Sequence, residues 1–273
     1  MDALYNAVKP RVVAIGGPTA TGKTALSVAL AKRFGGEIIS ADSMQIYQGL
    51  DVGTAKVTPE EMQGVPHHLV GFLAPEQAFS VADFTTLAGK TITQLTAQGK
   101  LPLVVGGTGL YITSLLNGIG FTPEKVDPAI RQELQARLQA EGSQALYAEL
   151  AAVDPGYAAK VHPNNTPRVI RALELYRATG RKMSAEREAA RPAEKPYRSL
   201  CLCLTCRDRT LLYQRIDTRC DRMMQSGILE EAKLVYDHRD TYRTAAQAIG
   251  YKEFFPYFEG TADLESCLDR KSV

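Results

Sequence analysis

No apolar run in the chain approaches the roughly 18 residues of a membrane-spanning helix, and the polar start Met1-Asp2-Ala3-Leu4-Tyr5-Asn6 is unlike a secretory signal. Cysteine is scarce. Five residues, an odd count without framework spacing, exclude a disulfide scaffold and suit a reducing compartment. Together these features predict a soluble, cytoplasmic protein. Neither sign of charge dominates: 32 basic against 30 acidic residues leave +2, which neither demands nor forbids a nucleic-acid partner. Internal repeats, low-complexity tracts and tail-like segments are also missing. What remains is a 45% apolar chain of 273 residues, enough for one large domain or one domain carrying an insertion.

Short β-branched runs alternate with glycine turns and helical patterns. Arg11–Ile15, Glu37–Ser40, Leu101–Val105 and Ser199–Thr205 read as strands, and Ser80–Gln98 as a helix between two of them. Alternation of this kind predicts a parallel α/β sheet. From about Asp127 to Ala193 the pattern is helical, broken at Gly142, Asp154-Pro155-Gly156 and His162-Pro163-Asn164-Asn165. Further helices are predicted to begin near Asp208, Gly227 and Thr244. The predicted organisation is a P-loop α/β core from residues 1–120 and 199–273, its parallel sheet flanked by helices, with an all-helical insertion at 121–198.

The first strand runs into Gly17-Pro18-Thr19-Ala20-Thr21-Gly22-Lys23-Thr24, and a helix follows. This is the G-x-x-x-x-G-K-[ST] pattern in its required context. Its glycines let backbone N–H groups turn inward, the helix N-terminus adds positive dipole, and Lys23 adds a mobile charge. The Thr24 hydroxyl suits magnesium. A di- or triphosphate is the expected ligand.

Hydrolysing enzymes of this kind usually carry a metal-holding acid at the end of a second strand. Here Leu101–Val105 runs into Gly106-Gly107-Thr108 without one, and the carboxylate instead follows the second strand, as Asp42. Carboxyl ends of parallel strands share one edge, which gathers Asp42, Thr108 and the phosphate loop at one crevice. A carboxylate beside phosphate is costly unless it ligates metal or takes a proton, which points to base chemistry. A turn or capping role remains open for Asp42, and helix capping for Thr108. Cys201, Cys203 and Cys206 lack a second ligand pair for zinc, and their alternation with leucine reads as a buried strand. The adjacent His67 and His68 point apart and read as structural.

Gly-Pro-Thr-Ala-Thr-Gly-Lys-Thr (17–24), Ile-Ser-Ala-Asp-Ser-Met-Gln-Ile-Tyr (39–47), Asp-Val-Gly-Thr-Ala-Lys (51–56) and Val-Gly-Gly-Thr-Gly-Leu-Tyr (105–111) resemble the tRNA dimethylallyltransferase, or tRNA isopentenyltransferase, family. Val-His-Pro-Asn-Asn-Thr-Pro-Arg-Val-Ile-Arg-Ala-Leu-Glu (161–174) and Gln-Ala-Ile-Gly-Tyr-Lys-Glu (247–253) extend the likeness over nearly the whole chain. The resemblance implies transfer of a dimethylallyl group from dimethylallyl diphosphate to the exocyclic amine of the adenosine on the 3′ side of a tRNA anticodon. It implies that the phosphate loop, magnesium, Lys23, Arg215 and Arg219 hold the departing diphosphate, and that Asp42 accepts the amine proton. It assigns tRNA contacts to Asp42, Ser43, Met44 and Gln45, to Thr108 and Arg131, to Pro167, Arg168, Val169, Ile170 and Arg171, and to Gln247, Ala248, Ile249, Gly250, Tyr251 and Lys252.

Spacing alone places Arg215 and Arg219 on one helix face, which a solvated surface would also explain. Between Lys160 and Arg198, ten basic and four acidic residues make a local excess of +6, as phosphate-backbone contact requires. A solvated basic helix is the alternative. Two departures from the family stand out. Gly71 lies near the place of a usual acidic residue after the His-His-Leu stretch. Family members also commonly continue past the equivalent of Val273 with a basic helical segment, whose lack implies weaker RNA binding or lower stability. A monomer acting on an anticodon stem-loop is expected. A small-molecule kinase, an adenylate isopentenyltransferase and an inactive RNA-binding form are the competing readings.

Overall fold

The computed structural model describes residues 9–121, 127–190, 192 and 194–272. Five parallel strands form one sheet: β1 (Arg11–Gly16), β2 (Gly36–Ser40), β3 (His67–His68), β4 (Leu101–Val105) and β5 (Arg198–Cys203), in the order β3-β2-β4-β1-β5. Four of them match the runs read from sequence. β3 escaped because two residues carry no periodicity, and it exists only by pairing with Ile38 and Ile39.

Side-chain alternation divides the strands between two hydrophobic layers. Val12, Ala14, Ile39 and Val104 face α3 (Val81–Ala97, the third helix in chain order) and α4 (Gly109–Leu116). Ile15, Ile38, Leu103 and Val105 face α1 (Lys23–Phe34) through Val28 and Ala31. The second helix, α2 (Pro59–Met62), is a single capped turn. Helix α3 begins at a capping box in which the Ser80 hydroxyl accepts from the Asp83 N–H and Asp83 accepts from the Ser80 N–H. Its Phe84, Ala88, Ile92 and Leu95 fall on one buried stripe, each large side chain contributing roughly 1.5–3 kcal/mol.

Two compact units emerge, residues 1–117 with 195–273, and residues 118–194. The second contains α5 (Pro128–Glu141), α6 (Ser143–Val153), α7 (Pro155–Ala158), α8 (Thr166–Thr179) and α9 (Met183–Ala189) around Leu134, Leu146, Leu150 and Leu173. Arg198, expected inside the insertion, belongs instead to β5. Within this unit Arg137 donates to Glu141 and Glu149, and Arg177 donates to Glu149 and Glu133. Three helices thus share one ion network.

The first unit closes with α10 (Arg209–Gln225), α11 (Ile228–Asp237), α12 (Phe255–Phe258) and α13 (Leu264–Ser272). The helix expected near Thr244 is only a 3-10 turn, Ala245–Gln247, its short run ended by the extended Ala248. β5 also departs from expectation. Cys201 and Cys203 are exposed, because β5 is an outer strand paired with β1 alone.

At Gly106 a Cβ would lie 2.1 Å from the Ala41 carbonyl oxygen, whereas one at Gly107 would meet nothing within 4 Å. Gly106→Ala should therefore cost about 2–3 kcal/mol and Gly107→Ala little, measured by urea unfolding. Equal stabilities would contradict the tight approach of β2 and β4.

Candidate functional site

The phosphate loop takes its shape from backbone constraints. Gly17 has φ 146°, and a Cβ there would sit 2.5 Å from the Leu204 carbonyl oxygen. Gly22, with φ 85°, opens α1 without a side-chain cap, and the first turn contains no acid. The leading N–H groups of α1 therefore stay available to an anion. Lys23 Nζ donates to the carbonyls of Gly17 at 2.8 Å and Pro18 at 2.6 Å, folding its stem back along the loop. Thr19 through Ala25 wall a cavity of about 970 Å³, together with Asp42, Gln45, segment 51–58 and one face of α10. Gly17 and Pro18, expected to touch the diphosphate, do not line it; they hold the lysine.

Asp42 follows β2, where the Ala41 N–H donates to the Val105 carbonyl at 2.7 Å. Its Oδ1 accepts from the Met44 N–H at 2.9 Å and the Gln45 N–H at 3.3 Å. Oδ2 takes no hydrogen bond among the described residues, and Asp42 lines the cavity. The turn thus engages one oxygen of Asp42 and leaves the other without a hydrogen bond among the described residues. Thr108 does not cap α4 with its side chain. Its hydroxyl accepts from the Ser43 N–H at 3.0 Å and donates to Ser43 Oγ at 3.3 Å, bracing the Asp42 turn. Ser43, Met44 and Thr108 support the wall without forming it.

Arg215 and Arg219 both reach the cavity from α10, as their spacing suggested. Arg222 joins them; it was missed, although 215, 219 and 222 lie on one helical stripe. Burial pushes the Lys23 pKa down and Arg219 pushes it further, while Asp42 opposes both. Burial likewise lowers the Arg219 pKa, against the pull of Asp42. Neither cation forms a salt bridge among the described residues. Two desolvated, mutually repelling cations beside an uncapped helix N-terminus favour a polyanion.

His67 also lines the cavity, unnoticed in the sequence because histidine pairs are usually structural. Its Nδ1 donates to the Val65 carbonyl at 2.8 Å, leaving Nε2 as the second ring nitrogen, and burial lowers its pKa. His68 turns the other way, 2.6 Å from Glu37 Oε2. No group of three metal-ligating side chains occurs among the described residues. Gly71 has φ 56°, and a Cβ there would approach Lys56 Nζ at 3.5 Å. Lys56 instead pairs with Asp51 and donates to the Tyr47 carbonyl at 2.5 Å.

Of the residues 247–252 expected to meet RNA, Tyr251 and Ala248 are 0% and 3% exposed, and Gly250 is also buried. Tyr251 packs in the core with its ring over Gly53, so these three support Gln247, Ile249 and Lys252, which face solvent. In the helical unit, Val169 and Ile170 are likewise buried, on the inner face of α8, while Pro167, Arg168 and Arg171 are exposed. Arg131 Nη2 and Arg171 Nη1 both donate to Glu174 Oε2 at 2.9 Å. One buried carboxylate thus anchors two half-exposed guanidinium groups.

A family model described as IPP transferase matches residues 45–272, and one described as isopentenyl transferase matches residues 10–70. The tRNA dimethylallyltransferase of Bacillus subtilis is 49% identical over 97% of this chain and 84% of its own length. That of Halalkalibacterium halodurans is 46% identical over 96% and 83%. A crystal structure of a full-length tRNA isopentenylpyrophosphate transferase from Bacillus halodurans superposes with TM-score 0.67 at 45% identity, covering 97% of this chain and 82% of that one. A eukaryotic dimethylallyltransferase captured acting on tRNA gives TM-score 0.78 at 32% identity, over 96% of this chain and 66% of its own.

Removing one repelling cation should relieve the folded state while emptying the site of affinity. Arg219→Leu is expected to raise the melting temperature slightly and to weaken magnesium–diphosphate binding at least ~30-fold, as loss of a desolvated charge-assisted contact does. Calorimetry and thermal unfolding on the same samples check both. Wild-type affinity should also fall as pH rises through the lowered Lys23 pKa, because the charge that attracts diphosphate is lost.

Proposed function

The chain belongs to the tRNA dimethylallyltransferase family, whose members are prenyltransferases that modify tRNA, and we propose that its cavity performs the transfer with Lys23, Arg219 and Asp42 as the acting side chains. The observation that carries this assignment is one cavity lined by both desolvated cations and a carboxylate with a free oxygen.

The diphosphate of dimethylallyl diphosphate lies against the loop 19–24 and the N-terminus of α1, with Arg215, Arg219 and Arg222 opposite. As the allylic C–O bond breaks, its electron pair goes to the leaving oxygen, and Lys23 and Arg219 meet the growing charge. The adenine amine supplies the pair for the new C–N bond. Its proton, acidic only as that bond forms, passes to Asp42 Oδ2 while Oδ1 stays fixed by the turn. No ATP is consumed. Adenine must leave the loop stack to reach this depth.

The Thr24 hydroxyl lines the cavity and has no hydrogen-bond partner among the described residues, so it fits a magnesium ligand. With no cluster of three metal-ligating side chains among the described residues, phosphate oxygens and water would supply the remaining ligands. When bound, the ion would neutralise charge on the departing diphosphate. The exposed Arg168 and the anchored pair Arg131 and Arg171 are the contacts proposed for the tRNA backbone.

Labelled dimethylallyl diphosphate with magnesium should transfer its label to an anticodon stem-loop. Label in AMP instead would indicate an adenylate prenyltransferase, RNA binding without transfer an inactive form, and ATP consumption with a small acceptor a kinase. Asp42→Asn should lower turnover at least ~100-fold with folding intact; unchanged turnover would remove Asp42 from the chemistry. Arg168→Ala should weaken stem-loop binding and reduce the slope of log affinity against log salt by about one. An unaltered slope would place Arg168 away from phosphate.

A further inference from the structure

Glu231 lies on α11, outside the cavity wall. Its Oε2 accepts from the N–H groups of Asp51 at 2.7 Å and Val52 at 3.0 Å, and its Oε1 from the Gly53 N–H at 2.7 Å and the Tyr251 hydroxyl at 2.6 Å. Three successive backbone donors thus converge on one carboxylate. The fit is close, since a Cβ on Gly53 would lie 2.2 Å from the Tyr251 ring. Burial and the neighbouring carboxylate push the Tyr251 pKa up, so its hydroxyl remains a donor.

The segment held this way continues directly into the cavity. The carbonyls of Thr54 and Ala55 accept from Gln45 Nε2 at 3.2 and 2.9 Å, and the Gln45 N–H donates to Asp42 Oδ1. Val52, Thr54 and Ala55 themselves line the wall. We propose that Glu231 is a positioning residue for the transfer reaction: acting through residues 51–55 and Gln45, it fixes the turn that directs Asp42 Oδ2 into the cavity. The proposal rests on the prenyl-transfer reading above. It also gives the Asp-Val-Gly-Thr-Ala-Lys and Gln-Ala-Ile-Gly-Tyr-Lys-Glu motifs a shared purpose, because both meet at this carboxylate.

Glu231→Gln is the informative change. An amide keeps one acceptor and turns the other into a donor, so at least one of the three loop N–H groups must face an N–H. Hydrogen exchange, transfer kinetics with a stem-loop, and calorimetry with magnesium and inorganic diphosphate are measured on the full chain. Amides of 51–55 should exchange at least ~10-fold faster while strand amides do not change. The kcat should fall roughly 10- to 100-fold, as misplacement by a fraction of an ångström to one ångström causes, with diphosphate Kd within about twofold of wild type. In a Gln45→Ala background the further loss should shrink below about threefold, because both changes break one chain of contacts. Tyr251→Phe, which deletes one of the four donors and preserves shape, should move kcat in the same direction by about two- to fivefold.

Faster exchange with unchanged kcat would overturn the proposal, as would full multiplication of the two losses. General loosening of the strands, with diphosphate affinity falling in step, would make Glu231 a folding residue only and overturn it equally. A wild-type chain that transfers no prenyl group would instead refute the functional reading, and the positioning role with it.

Discussion

The site depends on how closely the carboxyl ends of β1, β2 and β4 converge. The Gly106 N–H donates to the Ile15 carbonyl at 3.1 Å, the Ala41 N–H to Val105 at 2.7 Å, and the Thr108 N–H to Ala41 at 3.1 Å. These backbone bonds knit the three strand ends into one ledge. From it spring the phosphate loop, the Asp42 turn and the start of α4. Parallel pairing fixes their relative depth, so side chains far apart in sequence share a cavity without any of them being long.

Charge placement follows from that ledge. Several cations elsewhere in the protein are matched, as in the Arg137 and Arg177 network or the Lys100 contact to Glu37. Lys23 and Arg219 have no ion pair among the described residues. Desolvated and facing like charge, they hold a local electrostatic cost that a bound polyanion would relieve. The remainder of the core must offset that cost: Val28 and Ala31 of α1 and Met223 of α10 are buried in it.

Much of this was legible in the sequence because it is local. The phosphate loop, the helix that starts at Ser80 and the strands Arg11–Gly16 and Leu101–Val105 are each encoded by residues close together in the chain. The helical breaks at Gly142 and Asp154 were equally readable, since Asp154 caps the next turn by accepting from the Tyr157 N–H. What was not legible depends on partners distant in sequence. β3 needs Ile38 and Ile39 to exist at all. The alternation at Cys201–Leu204 cannot reveal that β5 has a neighbour on one side only. Contiguous motif spans also mix exposed residues with buried ones, and only the fold separates Arg168 from Val169 or Lys252 from Tyr251.

The strand order also constrains how the chain acquires its structure. Val13 pairs with Leu103 on one side and Leu200 on the other, so β1, the strand beside the outer one, stays half-open until the chain has been made past Cys203. The helical unit joins neighbours close in sequence and faces no such wait, whereas the sheet must postpone its last pairing past that whole segment. Biosynthesis therefore carries an interval in which one face-buried ribbon lacks its companion, a period of vulnerability to intermolecular association that is built into the connectivity rather than into any single side chain.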